Sequence, residues 1–465
     1  MSWGGGLMGG SCRLPPCLES RPSSSSLRRS AASPPVAGRA LGGGAKASST
    51  AAAAGNRRTR SFQRGRWKSL ATRTDGAELK VEERCQGGVD EDGHGHYRYR
   101  GHDCHYERRG DPHATSRILC LHGFGVGSFQ FRAQLEGLSG DTTCVYALDF
   151  CGQGSSWPPL DAAPSDSDGF SYSLDAWVEQ VEHFLNTCVG GSRGPVYLAG
   201  NSLGGLVAIN VAAKNPALVS GLVLLNATPF WGFVPASTTT STSDPATRIA
   251  AEIVAAVLPW NGALPAPRWL MRVITPYWEI FRAPGSIRNL LALVYVDDAT
   301  LDDELVMNIR RPTDHPVASS TFASVLWSPK PKVSYNDALK SVREAGVPVA
   351  LVYGRDDPWV TPLWGQRLKR RVPGAAYYEV TNCGHCPHHE APEVVNEIIK
   401  GWIRAVATGA PPPREPVAAG GGREIVGILV DGKPRRPTEW LVYCIDSLTA
   451  NNGGGLQRRG LRGGD

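Results

Sequence analysis

Residues 196–205 read Val-Tyr-Leu-Ala-Gly-Asn-Ser-Leu-Gly-Gly and run on into LVAINVAA at 206–213. An apolar stretch of strand character ends on Gly200, and an Ala/Val-rich helical stretch begins at Leu203. The pattern Gly200-Asn201-Ser202-Leu203-Gly204 therefore occupies a strand-to-helix turn. Gly-x-Ser-x-Gly there forms a sharp, strained elbow that lifts the Ser Oγ above the end of the strand. Small residues on either side give that elbow room. The five-residue pattern alone is common; its position between a strand and a helix gives it weight.

Outward from the elbow, strands and helices alternate. Residues 97–106 (YRYRGHDCHY) alternate polar and aromatic side chains around a Gly, as an opening hairpin does. Residues 117–122 and 143–150 are continuous apolar runs ending in turns, which predicts buried strands. Residues 173–188 space their apolar side chains by three and four behind a capping Ser173, predicting an amphipathic helix. Strands follow at 196–200, 221–225, 348–353 and 376–380, with helices at 203–213, 363–371 and 392–406. Such alternation predicts a parallel sheet covered by helices on both faces.

Residues 229–335 break the alternation. They hold five of the thirteen tryptophans (Trp231, Trp260, Trp269, Trp278, Trp327) and helical patterns without a clear strand. This predicts a helical cap inserted into a core formed by 95–228 and 336–406. Most of its aromatics are expected to pack the cap itself. The tail 407–465, rich in Pro and Gly, is expected to be mostly disordered, with room for a strand or two in 424–445.

Charge separates the leader from the body. Residues 1–74 carry 13 Lys and Arg against the single acid Glu19, leaving 36 basic and 42 acidic side chains in the rest. The net charge of +6 is thus a property of the leader, and the body lacks the basic face of a nucleic-acid binder. Arg-rich, Ser-rich and acid-poor, the leader reads as an organellar transit peptide. Nothing approaches the ~18 uninterrupted apolar residues of a transmembrane helix.

An alcohol is a poor nucleophile at neutral pH, so Ser202 needs a base, and the base needs an acid to orient it. The acid is expected after strand 348–353, in Gly354-Arg355-Asp356-Asp357-Pro358. Asp357 is chosen, with Asp356 its competitor, expected to face solvent. The base is His385, at the turn after strand 376–380, in preference to His388 and His389, which are read as surface or supporting residues. His122-Gly123-Phe124-Gly125 follows strand 117–122 and supplies an anion-stabilising turn. The backbone N–H groups of Phe124 and Leu203 are assigned to the oxyanion, with His122 a positioning residue.

Two other clusters compete for attention. Cys383-Gly-His-Cys386 has dithiol spacing, but it encloses the expected base and precedes Pro387, so redox catalysis is set aside. A regulatory disulfide there stays open. His94, His96, His102, Cys104 and His105 sit on a hairpin expected to be exposed, without fixed tetrahedral spacing, and no metal site is expected.

Several strings go further. HGFGVGSF (122–129), ALDFCGQG (147–154), GNSLGG (200–205), NATPFWGF (226–233), YGRDDPWV (353–360) and Pro392-Glu-Val-Val-Asn396 together resemble the pheophytinases, plastid hydrolases within the α/β-hydrolase superfamily. The resemblance covers roughly 95–405. It implies an α/β-hydrolase fold with a mostly parallel central sheet. It also implies cleavage of the phytyl ester of pheophytin in chlorophyll breakdown, without a cofactor. Ser202, Asp357 and His385 fall on that family's triad positions. Residence in the chloroplast, peripheral contact with thylakoids and contact with other chlorophyll-catabolic proteins are implied as well. Phe230, Trp231 and Phe233 become candidates for lining the substrate, or equally for a packed hinge. The family usually has Pro where this chain has His122. A chlorophyll dephytylase, another plastid acyl-ester hydrolase and a ligand-binding receptor on the same fold remain alternatives. A dehalogenase is disfavoured because the elbow holds Ser, not Asp.

Overall fold

The computed structural model describes residues 88–160, 170, 172–190, 194–227, 268–328, 331–412 and 425–427. All lie within the unit Leu79–Asp465. The leader, most of the tail, and the lining candidates Phe230, Trp231 and Phe233 fall outside the described residues.

The described strands are β1 (His94–Tyr99), β2 (His102–Arg109), β3 (Ser116–Leu121), β4 (Thr143–Leu148), β5 (Val196–Asn201), β6 (Val219–Leu225), β7 (Val349–Gly354), β8 (Ala376–Val380) and β9 (Ile425–Gly427). They form one sheet in the order β1-β2-β4-β3-β5-β6-β7-β8-β9. Strands β4, β3, β5, β6, β7 and β8 run parallel. The hairpin β1–β2 and the strand β9 close the two edges antiparallel. Strand β9 is the part of the tail for which a strand was left open.

Helices α1 (Arg132–Leu138), α2 (Leu174–Thr187) and α3 (Leu203–Lys214) belong to the first half. Between β6 and β7, where a cap was expected, the described residues hold α4 (Arg268–Phe281), α5 (Pro284–Leu291), α6 (Asp303–Arg310) and α7 (Ala318–Leu326). The second half adds α8 (Tyr335–Glu344), α9 (Pro362–Arg371), the single turn α10 (Pro387–Glu390) and α11 (Pro392–Thr408). The Ser173 hydroxyl caps α2 by accepting from the Ala176 N–H at 3.4 Å.

The unbroken apolar runs of β5, β6 and β7 follow from burial on both faces. Leu198, Leu222, Leu224 and Leu351 point to one core, which Trp177 and Phe184 of α2, Ile209 of α3 and Leu339 of α8 complete. Their neighbours Ala199, Val223, Leu225 and Ala350 point to the other, closed by Leu135 of α1 and Ile399 and Trp402 of α11. Because α3 lies between the sheet and α2 and α8, it is apolar nearly all round and shows no polar face.

One expectation is corrected here. The edge hairpin is not exposed: His102, Cys104, His105 and Glu107 are all buried. Among the described aromatics of 229–335, Trp269 and Trp327 pack edge to face at 5.5 Å, as expected, while Trp269 and Tyr277 are also more than half exposed. The Trp278 ring lies 5.6 Å from Phe322, which in turn lies 5.6 Å from Phe124 of the core.

Candidate active site

The elbow forms where the sequence places it. Ser202 has φ +49°, in the region an L side chain avoids. Its N–H donates to the Leu225 carbonyl at 3.0 Å, and its carbonyl accepts from Gly205 and Leu206, which anchors the strained residue at both ends. A Cβ on Gly204 would collide with the backbone carbonyls of Leu121 and His122, so only glycine lets α3 start this close to β3.

The candidate acid and base, Asp357 and His385, meet beyond the C-terminal ends of β7 and β8. His385 Nδ1 lies 2.7 Å from Asp357 Oδ2, with Asp357 2% and His385 8% exposed. The other carboxylate oxygen accepts from the backbone N–H groups of Trp359 (2.8 Å) and Val360 (3.0 Å). Burial alone would raise the Asp357 pKa. The charge and hydrogen bond of His385 and the two backbone donors outweigh it and hold the carboxyl below its ordinary value. An ionised Asp357 can accept the Nδ1–H of His385, the tautomer in which Nε2 is the ring nitrogen able to take a proton. Asp356 is exposed, as expected.

Three supporting residues were not singled out in the sequence. Asn226, with φ +41° at the end of β6, donates from Nδ2 to Asp357 Oδ2 at 2.6 Å and accepts the Gly354 N–H on Oδ1 at 2.9 Å. Asn201, beside the nucleophile, donates to the His385 carbonyl at 3.0 Å and to the Leu225 carbonyl at 3.1 Å, tying the elbow to the base loop. Glu390 accepts the Gly384 N–H with one oxygen at 2.9 Å, and the Val296 and Asp297 N–H groups with the other at 2.8 and 3.1 Å. It thereby joins the loop of His385 to the segment that follows α5, where the His385 N–H also donates to the Val294 carbonyl at 2.8 Å. Sequence signals for these were slight: Asn226 stood only as the first residue of the string NATPFWGF, and Asn201 as a variable position within the elbow.

Leu203 opens α3, so its N–H is among those a helix leaves without an internal acceptor. Phe124 lies in the turn after β3, half-buried. His122 braces that turn: its Nδ1 lies 2.6 Å from the Gly123 carbonyl, and its Nε2 accepts the Phe150 N–H at 3.0 Å. Burial pushes its pKa down, so it stays neutral and both nitrogens are engaged in structure. His388 is fully buried, stacked on Phe131 at 4.3 Å, which corrects the surface reading; His389 packs against Tyr295. Cys386 is a buried thiol whose pKa burial pushes up to about 12, the opposite of an activated dithiol.

A family model described as the alpha/beta hydrolase family matches residues 118–398, from β3 into α11. The chain belongs to the alpha/beta hydrolase family. Within it, the chain is 40% identical over 328 residues to chloroplastic pheophytinase of Arabidopsis thaliana, an alignment covering 66% of this chain and 65% of that protein. It is 25% identical over 287 residues to a human (lyso)-N-acylphosphatidylethanolamine lipase, covering 61% and 78%. Among solved structures, haloalkane dehalogenase DbeA of Bradyrhizobium elkani superposes with a TM-score of 0.49 at 17% identity, over 68% of this hydrolase chain and 99% of its own. No described helix is long and apolar enough to cross a membrane.

Proposed function

We propose that this hydrolase is a serine esterase that cleaves the phytyl ester of pheophytin, giving pheophorbide and phytol, in chlorophyll breakdown in the chloroplast. The observation that carries the chemistry is the buried 2.7 Å Asp357–His385 pair, tied through Asn201 to the elbow that bears Ser202. The similarity to pheophytinase supports the choice of ester and the compartment. Contact with thylakoids and with other chlorophyll-catabolic proteins belongs to the same reading.

In this mechanism His385 Nε2 takes the Ser202 proton as Oγ attacks the ester carbonyl. Asp357 holds the imidazole and stabilises the imidazolium that forms. The charge that develops on the carbonyl oxygen is met by the N–H groups of Phe124 and Leu203; one such donor is worth about 2.7–4 kcal/mol in comparable sites. Phytol leaves with the proton from His385, and a water activated by the same imidazole then frees the pheophorbide carboxylate. The reaction needs no cofactor. The aromatic series Phe124, Phe322 and Trp278, from the oxyanion turn into the cap, offers flat apolar surface suited to a macrocycle.

The test is to incubate the chain with pheophytin, chlorophyll and a plain acyl ester and to measure phytol or alcohol release over many turnovers. Selective turnover of pheophytin is expected, with Ser202→Ala lowering kcat by roughly 10⁶-fold. Equal rates on chlorophyll would favour a dephytylase. A single bound ligand without turnover would favour a receptor, and an active Ser202→Ala would overturn the mechanism.

A further inference from the structure

The edge hairpin gathers its histidines in a way that their spacing did not announce. The β1–β2 register sets His94 opposite Glu107 and His96 opposite His105. Directly opposed residues of antiparallel strands share a face, so all four lie on one side of the sheet. His94 Nδ1 is 2.9 Å from His105 Nε2, and one donor atom each from His94, His105 and Glu107 lie within 4.8 Å of one another. Two imidazole nitrogens that close need a proton or a cation between them.

The surroundings favour a cation. His105 Nδ1 lies 2.8 Å from Asp149 Oδ2, a buried carboxylate itself held by the N–H groups of Ser128 and Ser155. This is the arrangement in which an outer carboxylate fixes a metal-binding imidazole with its other nitrogen turned to the ion. Glu107 is buried and oriented by the Ser128 hydroxyl at 2.9 Å and by Arg132 at 3.4 Å. His96 turns instead to Asp103 at 3.4 Å.

We propose that His94 Nδ1, His105 Nε2 and Glu107 bind a divalent transition cation, Zn²⁺ foremost. Two imidazoles and one carboxylate are borderline donors, suited to Zn²⁺ and poorly matched to the all-oxygen shells of Ca²⁺ or Mg²⁺. With Zn–N bonds of about 2.0–2.1 Å in tetrahedral geometry, the two nitrogens need to open only to about 3.3 Å. The fourth position faces a cavity of about 780 Å³, lined also by Arg132, Trp157, Arg311 and His315 and by none of Ser202, Asp357 or His385. Water or a small anion completes the shell there. Metal was set aside on sequence because no tetrahedral spacing runs along the chain; cross-strand register supplies it instead.

The experiment uses the full chain without an affinity tag, stripped by chelator and titrated with Zn²⁺ in a calorimeter. One equivalent is expected, and Co²⁺ in its place should show the visible bands of a four-coordinate nitrogen and oxygen site. His94→Ala and Glu107→Gln should each weaken binding by more than the about 10–100-fold that loss of an outer-shell partner costs. Exposed His113→Ala should leave it unchanged. No stoichiometric binding, affinity indifferent to both variants, or an intense cobalt–thiolate band pointing to cysteine would each overturn the proposal. The cobalt spectrum of the unmutated chain decides the matter even where a variant fails to fold.

Discussion

Replacing Asn226 by Ala is expected to damage both the fold and the proposed chemistry. Asn226 is wholly buried and makes two bonds that matter, to the Asp357 carboxylate at 2.6 Å and from the Gly354 N–H at 2.9 Å. A hydrogen bond to a charged group contributes about 1.5–3 kcal/mol, and a buried N–H left without an acceptor costs about 1–3 kcal/mol. Alanine at φ +41° adds strain of about 1 kcal/mol. Partial relaxation overlaps these losses, so the net cost should be about 3–5 kcal/mol. Asn226→Gly removes the same bonds without the strain and should be about 1 kcal/mol less damaging than Ala. Freed on one side, Asp357 orients His385 less firmly, and kcat should fall about tenfold to a hundredfold, or 1.4–2.7 kcal/mol. Urea unfolding followed by tryptophan fluorescence and steady-state hydrolysis of a soluble ester measure the two effects. An Asn226→Ala chain with an unchanged midpoint and kcat within twofold of the parent would refute the reasoning.

Other expectations concern the same corner. Gly204→Ala drives a Cβ into the Leu121 and His122 carbonyls, so it should cost about 3 kcal/mol or more and abolish esterase activity; a fully stable, active variant would contradict the close-approach argument. The Asp357 carboxyl is held below its ordinary value in the fold, so its ionised form contributes stability above the unfolded-state pKa of about 4 and loses it as pH falls through the folded value. The gap in unfolding free energy between parent and Asp357→Asn should therefore be full near neutrality and shrink below about pH 4; a gap that widens on acidification would reverse the sign. Glu390→Gln places a donor against backbone N–H groups and should cost about 1–3 kcal/mol. Amide exchange at Gly384 and Val296 should accelerate together; acceleration on one side only would show that Glu390 does not couple cap and base loop.

Some of the site was written in short-range pattern. Ser202, Asp357 and His385 each follow an apolar strand at a turn whose composition is visible in a few residues, and the structure sets all three at strand ends. The partners that hold them were not visible. Asn226 and Asp357 are 131 residues apart, and Asn201 and His385 are 184 apart. No local periodicity encodes such pairings. His388 shows the same limit: polar by type, it is buried because α10 turns it onto Phe131.

By itself the sequence determined the alternation of strands and helices, the elbow, the α2 cap at Ser173 and the turns that carry Ser202, Asp357 and His385. Those features depend on side-chain type, periodicity and backbone preference over a few residues. Only the tertiary structure decided which polar groups hold Asp357 and His385, and which face of the edge hairpin turns inward. It also decided that His94, His105 and Glu107 converge. These depend on strand register and on loops from distant parts of the chain meeting above the sheet, where a shift of one residue would turn every side chain to the opposite face.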